Sequence, residues 1–245
     1  MTEELPVDVR SHPHWRILFR PSEFDQAKLS LTECVNVVEK AQVRLRGWPF
    51  PPLSRRQEQR AYGSTWFAAW SKFGGFGGHL EYWRLYQSTQ FVYLGAVREK
   101  MESEWDAKIR ANLDAHILDP PSDPEGLPGF LSLTNLVYSM TEYVEFASRL
   151  CEAEVYSGRL ELRISLLQAK GYALTADPEW APLSLYRVGT ETLERVTEVD
   201  TAQLIANSRT ISMETTLWFL ERFGWINPPV SALRDIQDRF LARRS

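Results

Sequence analysis

The sequence predicts an α+β fold, a mostly antiparallel sheet with helices packed on it, and three observations carry that prediction. Residues 42 to 97 are dense in β-favouring aromatics, among them Trp66, Trp70, Tyr82, Trp83, Tyr86 and Tyr93, and are broken by Gly and Ser. Amphipathic helical spacing recurs on either side of that stretch. Helix followed by three strands reads out both before and after residues 119–129, where DPPSDPEGLPG concentrates proline and glycine.

Taken in order, residues 15–20 (WRILFR) read as a short strand closed by Pro21. Ser30-Leu31-Thr32-Glu33 has the form of a capping box, and Leu31, Cys34, Val35 and Val38 follow at helical spacing, which predicts a helix over 31–41. From Gln42 the period becomes two: Val43 and Leu45 lie on one side, Arg44 and Arg46 on the other, the pattern of a half-buried strand. Gly47 and the prolines Pro49, Pro51 and Pro52 end it, and strands are expected at 62–72, 80–87 and 90–97, joined as a meander. Residues 99–118 read as an amphipathic helix with a narrow apolar stripe and 132–156 as the strongest helix of the chain. Strands are then expected at 160–167, 183–188 and 193–199. A short helix capped at Asp200, a helix ended by Gly224 and a closing helix from Val230 complete the reading.

The halves therefore divide as 1–118, a linker at 119–129 and 130–245, with one continuous domain as the alternative. The two helices begin SLTE at Ser30 and SLTN at Ser132, which raises a duplicated α-βββ unit as one arrangement.

Composition removes several function classes. In 245 residues, 44% are apolar, enough for a continuous core, and a net charge of -4 argues against a generally basic nucleic-acid coat. Cys34 and Cys151 fall among apolar neighbours and read as buried free thiols; neither has the spacing of a zinc site, which needs about four ligands. No stretch approaches roughly 18 uninterrupted apolar residues, so no membrane partner is expected and a cytoplasmic location is.

Candidate chemistry is sparse. The glycines of 74–78 lack the lysine and Ser/Thr of a phosphate loop and read as a hairpin connection. His79 and Glu81 share a strand face, but a metal needs a third ligand, so they are weak metal candidates. His12 and His14 flank Pro13 in a terminal segment. No GxSxG elbow or nucleophilic cysteine motif is present, and Glu142 with Glu145 reads as a solvated helix face. What packing does not absorb is the arginine and aromatic set: guanidinium groups and indoles clamp phosphates and stack on bases, and the same residues are enriched in protein interfaces. Arg44, Arg46, Trp48, Arg84 and Tyr86 are the predicted ligand- or partner-binding residues, with the first three facing Arg84 across the meander.

Three patches, Arg44-Leu45-Arg46-Gly47-Trp48, Glu81 through Phe91 (EYWRLYQSTQF) and Trp218 through Trp225 (WFLERFGW), resemble a region found C-terminal to AlbA/Schlafen-type DNA-binding domains of bacterial proteins, several described as ATP-binding. That DNA-binding domain is itself absent here, and the region has no catalytic motif to carry over. The resemblance implies an accessory or assembly module in bacterial regulation or phage defence. The expectation is thus a non-enzymatic binding or regulatory module that meets a protein partner or a second copy of itself through residues 42–97, with no catalytic residue and no cofactor assigned. An enzyme or binding protein acting on nucleic acid or a nucleotide is the competing class, and a structural subunit of a larger complex the third.

Overall fold

Along strand β1 (His14–Pro21), Trp15, Ile17 and Phe19 are buried while Arg16, Leu18 and Arg20 alternate on the other side. Both edges of this strand are paired, to β5 (Phe91–Ala96) and to β7 (Arg159–Leu167), so β1 joins the two ends of the chain in one sheet. The computed structural model describes residues 8–54, 56–73, 79–97, 127–175 and 184–242. The remaining strands of this sheet are β2 (Arg60–Tyr62), β3 (Trp66–Phe73), β4 (His79–Tyr86) and a last strand, Thr192–Asp200; the sheet runs β2-β3-β4-β5-β1-β7 and then that strand, antiparallel throughout. Two short strands, β6 (Phe130–Ser132) and β8 (Ala173–Thr175), pair in parallel apart from it, which makes Thr192–Asp200 β9.

Helices cover one face. Helix α1 (Leu31–Ala41) starts at the expected capping box, in which the Ser30 hydroxyl accepts from the Glu33 N–H and the Glu33 carboxylate accepts from the Ser30 N–H. Helix α2 (Leu133–Glu152) lies over the centre, with Tyr143 against Trp15 and Phe146 against Phe19 and Phe91. Helix α3 (Thr201–Arg222) brings Phe219 edge-on to Trp15, and helix α4 (Val230–Leu241) stacks Phe240 on Tyr138 of α2. The resulting core runs without interruption from Trp15 to Phe240 and includes Cys34 and Cys151 as buried free thiols. The other sheet face holds a smaller cluster of Val9, Ala68, Trp70, Leu80, Tyr82, Leu94 and Ala96. Towards β9 that face carries the ion pairs Arg16–Glu194 and Arg163–Glu161.

The α+β class, the 31–41 helix and the antiparallel meander agree with the sequence reading. Four local expectations do not. Residues 42–46 form no strand; Val43 makes an isolated bridge to Phe50, because Gly47 at φ +87° turns the chain back at once. Residues 183–188 are likewise no strand, only a bridge from Arg187 to Ala173 where described. The two helices expected after Asp200 are one, bent at Asn207 (φ -129°, ψ 23°). Among the described residues the second half gives the main sheet β7 and β9 only, and these do not repeat an α-βββ unit. The expected helix at 99–118, most of the 119–129 linker and the 74–78 glycine loop lie outside the described residues.

Candidate functional site

Residues 47–54 form a loop across the end of the helical layer, and its shape is fixed by four hydrogen bonds to three residues. Val43 and Phe50 exchange both backbone hydrogen bonds at 2.8 Å, Gln42 Nε2 donates to the Pro51 carbonyl at 3.0 Å, and Trp83 Nε1 donates to the Pro52 carbonyl at 2.6 Å. Below them the Phe50 ring is wedged among Tyr93, Tyr143 and Phe146, at centroid distances of 5.0, 5.1 and 5.7 Å. With Phe50 and Pro51 buried in this way, Trp48 is held at the crest of the turn, 40% exposed. A Trp kept in water by so many pinning bonds is a preformed contact surface.

Under the loop lies a cleft of about 340 Å³, within the roughly 300–1,000 Å³ typical of ligand pockets. Trp48, Pro49, Pro52 and Leu53 make an apolar wall, and Ser54 and Gln59 stand at its mouth. Its floor is the cross-strand pair Ser71 of β3 and Glu81 of β4, both facing the helical layer. Both are buried at 6% exposure. The sheet row continues from Glu81 to Gly95 and Trp15. At Gly95 a Cβ would stand 2.2 Å from the Tyr93 hydroxyl, so glycine is what lets that phenol lie flat beside Glu81.

Glu81 also borders a second, inner cavity of about 20 Å³, the size of one water molecule, together with Tyr93, Asn135, Ser139, Glu142 and Tyr143. Next to it is the most buried ion pair among the described residues. Arg46 Nε donates to Glu142 Oε2 at 2.7 Å, with side-chain exposures of 5% and 3%. The other guanidinium nitrogens donate to Asn135 Oδ1 at 2.8 Å, to Ser139 Oγ at 3.0 Å and to the Asn135 carbonyl at 3.3 Å, while the group lies 5.2 Å from the Tyr138 ring centre. Glu81 thus joins an outer cleft to an inner polar cluster anchored on α2.

The predicted residues separate into four places. Trp48 and Glu81 meet at the cleft. Arg46 is not a solvent-facing strand residue but the tie between the loop and α2, and its partner Glu142 is correspondingly buried rather than on a solvated helix face. Arg44 is exposed outside the cleft, donating to Gln42 Oε1 at 3.2 Å. Arg84 and Tyr86 lie on the opposite sheet face, since β4 directs Tyr82, Arg84 and Tyr86 away from the side that carries Glu81. Arg44 and Arg46 therefore do not face Arg84.

On that face Arg84 sits 4.0 Å over the Trp66 ring and donates to the hydroxyls of Tyr82 (2.9 Å) and Tyr86 (3.1 Å). Burial acts to lower its pKa, but the Tyr86 hydrogen bond and the neighbouring phenols raise it overall, so it is held as a cation; burial raises the Tyr82 phenol. Trp66 and Trp70 do share a face, as parity predicts, and it is this one.

Asn135 and Ser139 were not singled out from the sequence, and Glu142 was read there only with Glu145 as a solvated helix face. Their signal is a line of polar residues at spacings of four and three inside the apolar stripe of the strongest helix, which requires partners across the core. Among the described residues, no three His, Cys, Asp or Glu side chains are grouped to hold a metal, and no helix is long and apolar enough to cross a membrane.

No family model, curated protein or solved structure matches the chain.

Proposed function

We propose that this chain is a binding module that receives a segment of a protein partner in the cleft beneath the Trp48 loop. The observation that carries the reading is the cleft itself: an exposed Trp on a loop pinned by main-chain and indole bonds, standing over an apolar wall with a buried Ser71–Glu81 floor. Rigid aromatic rims over a desolvated pocket are the form of interface hot spots. An accessory or assembly role accords with the resemblance noted for the 44–48 and 81–91 patches, and a place in cytoplasmic bacterial regulation or defence follows as part of this proposal. Selection of random heptapeptides displayed on phage against the wild-type protein, with counter-selection on Trp48→Ala, tests it. Peptides that bind only the wild type support the reading; absence of any such peptide overturns it.

One observation favours a second reading. The Arg84 cation, stacked on Trp66 and half-exposed between Tyr82 and Tyr86, is a platform of the kind that stacks unpaired bases. Oligo-dT binding that falls steeply between about 50 and 200 mM salt, and is lost in Arg84→Ala, is the expected signature of contact with phosphates. No binding at low salt removes this reading. The phosphate-binding enzyme built on Arg44, Arg46 and Arg84 together is not favoured, because Arg46 is committed to Glu142 and Arg84 lies across the sheet.

A further inference from the structure

The sheet face away from the helices is reached by water at one end. By strand parity it presents Trp66 of β3, Arg84 and Tyr86 of β4, Arg20 of β1 and Glu161 of β7. Further along the same strands Trp70, Tyr82 and Leu94 are buried, whereas Trp66, Arg84 and Tyr86 are half-buried and Arg20 is exposed. Where β1 ends at Pro21, a hollow of about 450 Å³ opens on this face, lined by Arg20, Phe24, Ser88, Gln90, Glu161 and Glu198 together with Pro21 and Ser22. Its wall is anchored, because the Ser22 N–H and Oγ both donate to the Arg159 carbonyl, at 3.0 and 2.8 Å. Two residues on, the Phe24 ring is 77% exposed. Charge is sorted across the hollow. Glu161, the cross-strand neighbour of Arg20, pairs with Arg163 at 3.2 Å rather than with Arg20, and Glu198 pairs with Arg159 at 3.6 Å. The carboxylates thus gather on β7 and β9, and Arg20 stands on the side nearer Arg84.

We propose that this face binds single-stranded nucleic acid along a track that starts on the Arg84 platform, crosses β5 and sets a phosphate on Arg20 and a further base on Phe24. The proposal rests on the second reading above, in which the Arg84 platform receives an unpaired base. From β4 to β1 is two strand spacings, about 10 Å. That is about three stacked nucleotide steps at roughly 3.4 Å each, so a strand of about four nucleotides spans the track. The Arg84 guanidinium, backed by Trp66 at 4.0 Å, and the exposed Phe24 ring are stacking surfaces that any base can use. Between them Arg20 meets a phosphate with a forked set of donors, and Gln90 and Ser88 bring an amide and a hydroxyl to the same hollow. Beyond Arg20 a phosphate would meet Glu161 and Glu198 charge to charge, which ends the track at β1. A duplex keeps its bases paired inward and offers neither stacking surface a ring, so the occupant is a single strand.

Fluorescence anisotropy of labelled thymidine oligonucleotides on the full chain tests the track. Affinity is expected to rise about thirtyfold from the dinucleotide to the tetranucleotide and by less than about fivefold from there to the octanucleotide. Phe24→Ala and Arg20→Ala, both at exposed positions and confirmed folded by their melting transitions, should each weaken the tetranucleotide about tenfold. Arg20→Ala should also lower the salt slope by about 0.7, the share of one phosphate contact. Arg16→Ala, on the same face but paired with Glu194 at 2.9 Å, should bind within about twofold of wild type. Arg84-dependent binding that is complete with the dinucleotide, or indifferent to Phe24→Ala or to Arg20→Ala, overturns the track and leaves the Arg84 platform standing. An equal loss in Arg16→Ala marks general charge attraction and overturns it as well. No binding of any oligonucleotide at low salt overturns both the track and the platform.

Discussion

Removing Arg46 should be the most damaging single change in the candidate site, and the structure sets the size of the effect. Its guanidinium makes four hydrogen bonds, to Glu142, Ser139 and twice to Asn135, at 5% side-chain exposure. In Arg46→Met the apolar stem is kept, but the Glu142 carboxylate, 3% exposed, loses its counter-charge in a medium that cannot solvate it. Breaking one side of a buried pair costs about 3–5 kcal/mol. For a chain of this size, at about 2–4 °C per kcal/mol, the melting temperature should fall by about 10 °C. Glu142→Leu alone strands the arginine and should cost a comparable amount, whereas the double variant removes both charges together and should recover most of the loss. Urea unfolding of the four proteins gives the cycle. Additive losses, or an Arg46→Met cost below about 1 kcal/mol, would refute the claim that this pair ties the loop to α2.

Three further outcomes follow from local geometry. Gly95→Ala should destabilise by about 1–3 kcal/mol and change the near-ultraviolet circular dichroism, because its Cβ would fall 2.2 Å from the Tyr93 hydroxyl and displace that side chain; an unchanged spectrum and melting point would contradict this. Ser30→Ala removes half of the capping box at α1 and should cost about 1 kcal/mol in urea unfolding. Burial raises the thiols of Cys34 and Cys151 from 9.0 to about 11 and about 12, so both should be inert to a disulfide reagent at pH 8 until the chain unfolds. Because these folded-state values lie above the unfolded ones, their contribution to stability is complete below pH 9 and is lost as pH rises through about 11 to 12, which alkaline denaturation measures.

Elements defined by local signals were legible in the sequence. The Ser30–Glu33 box states its own hydrogen bonds, and the aromatics at 66–96 read as a meander because alternation and turn residues are both local. The sheet order was not legible, because nothing in residues 14–21 says that their partners are 91–96 on one side and 159–167 on the other. The site divides along the same line. Trp48 was found because it follows a turn glycine and is followed by proline, and Glu81 because its strand parity is readable. Arg46 was found for the wrong reason: a period of two over Val43–Arg46 describes a strand or a chain folding back, and only Glu142, on α2, decides between them. Placing Arg84 with Arg44 and Arg46 required knowing which face of β4 the loop covers, a tertiary fact. Trp83 shows the same limit, since its indole N–H holds the loop wall through a main-chain carbonyl that carries no side-chain signature.

The central claim, that the cleft under the Trp48 loop is where a partner binds, is tested most directly by hydrogen exchange on the wild-type protein with and without a selected peptide. New protection should be centred on the loop that walls the cleft, residues 48–54. Protection that appears instead at Tyr82–Tyr86 with 48–54 unchanged would contradict it and move the binding surface to the Arg84 face.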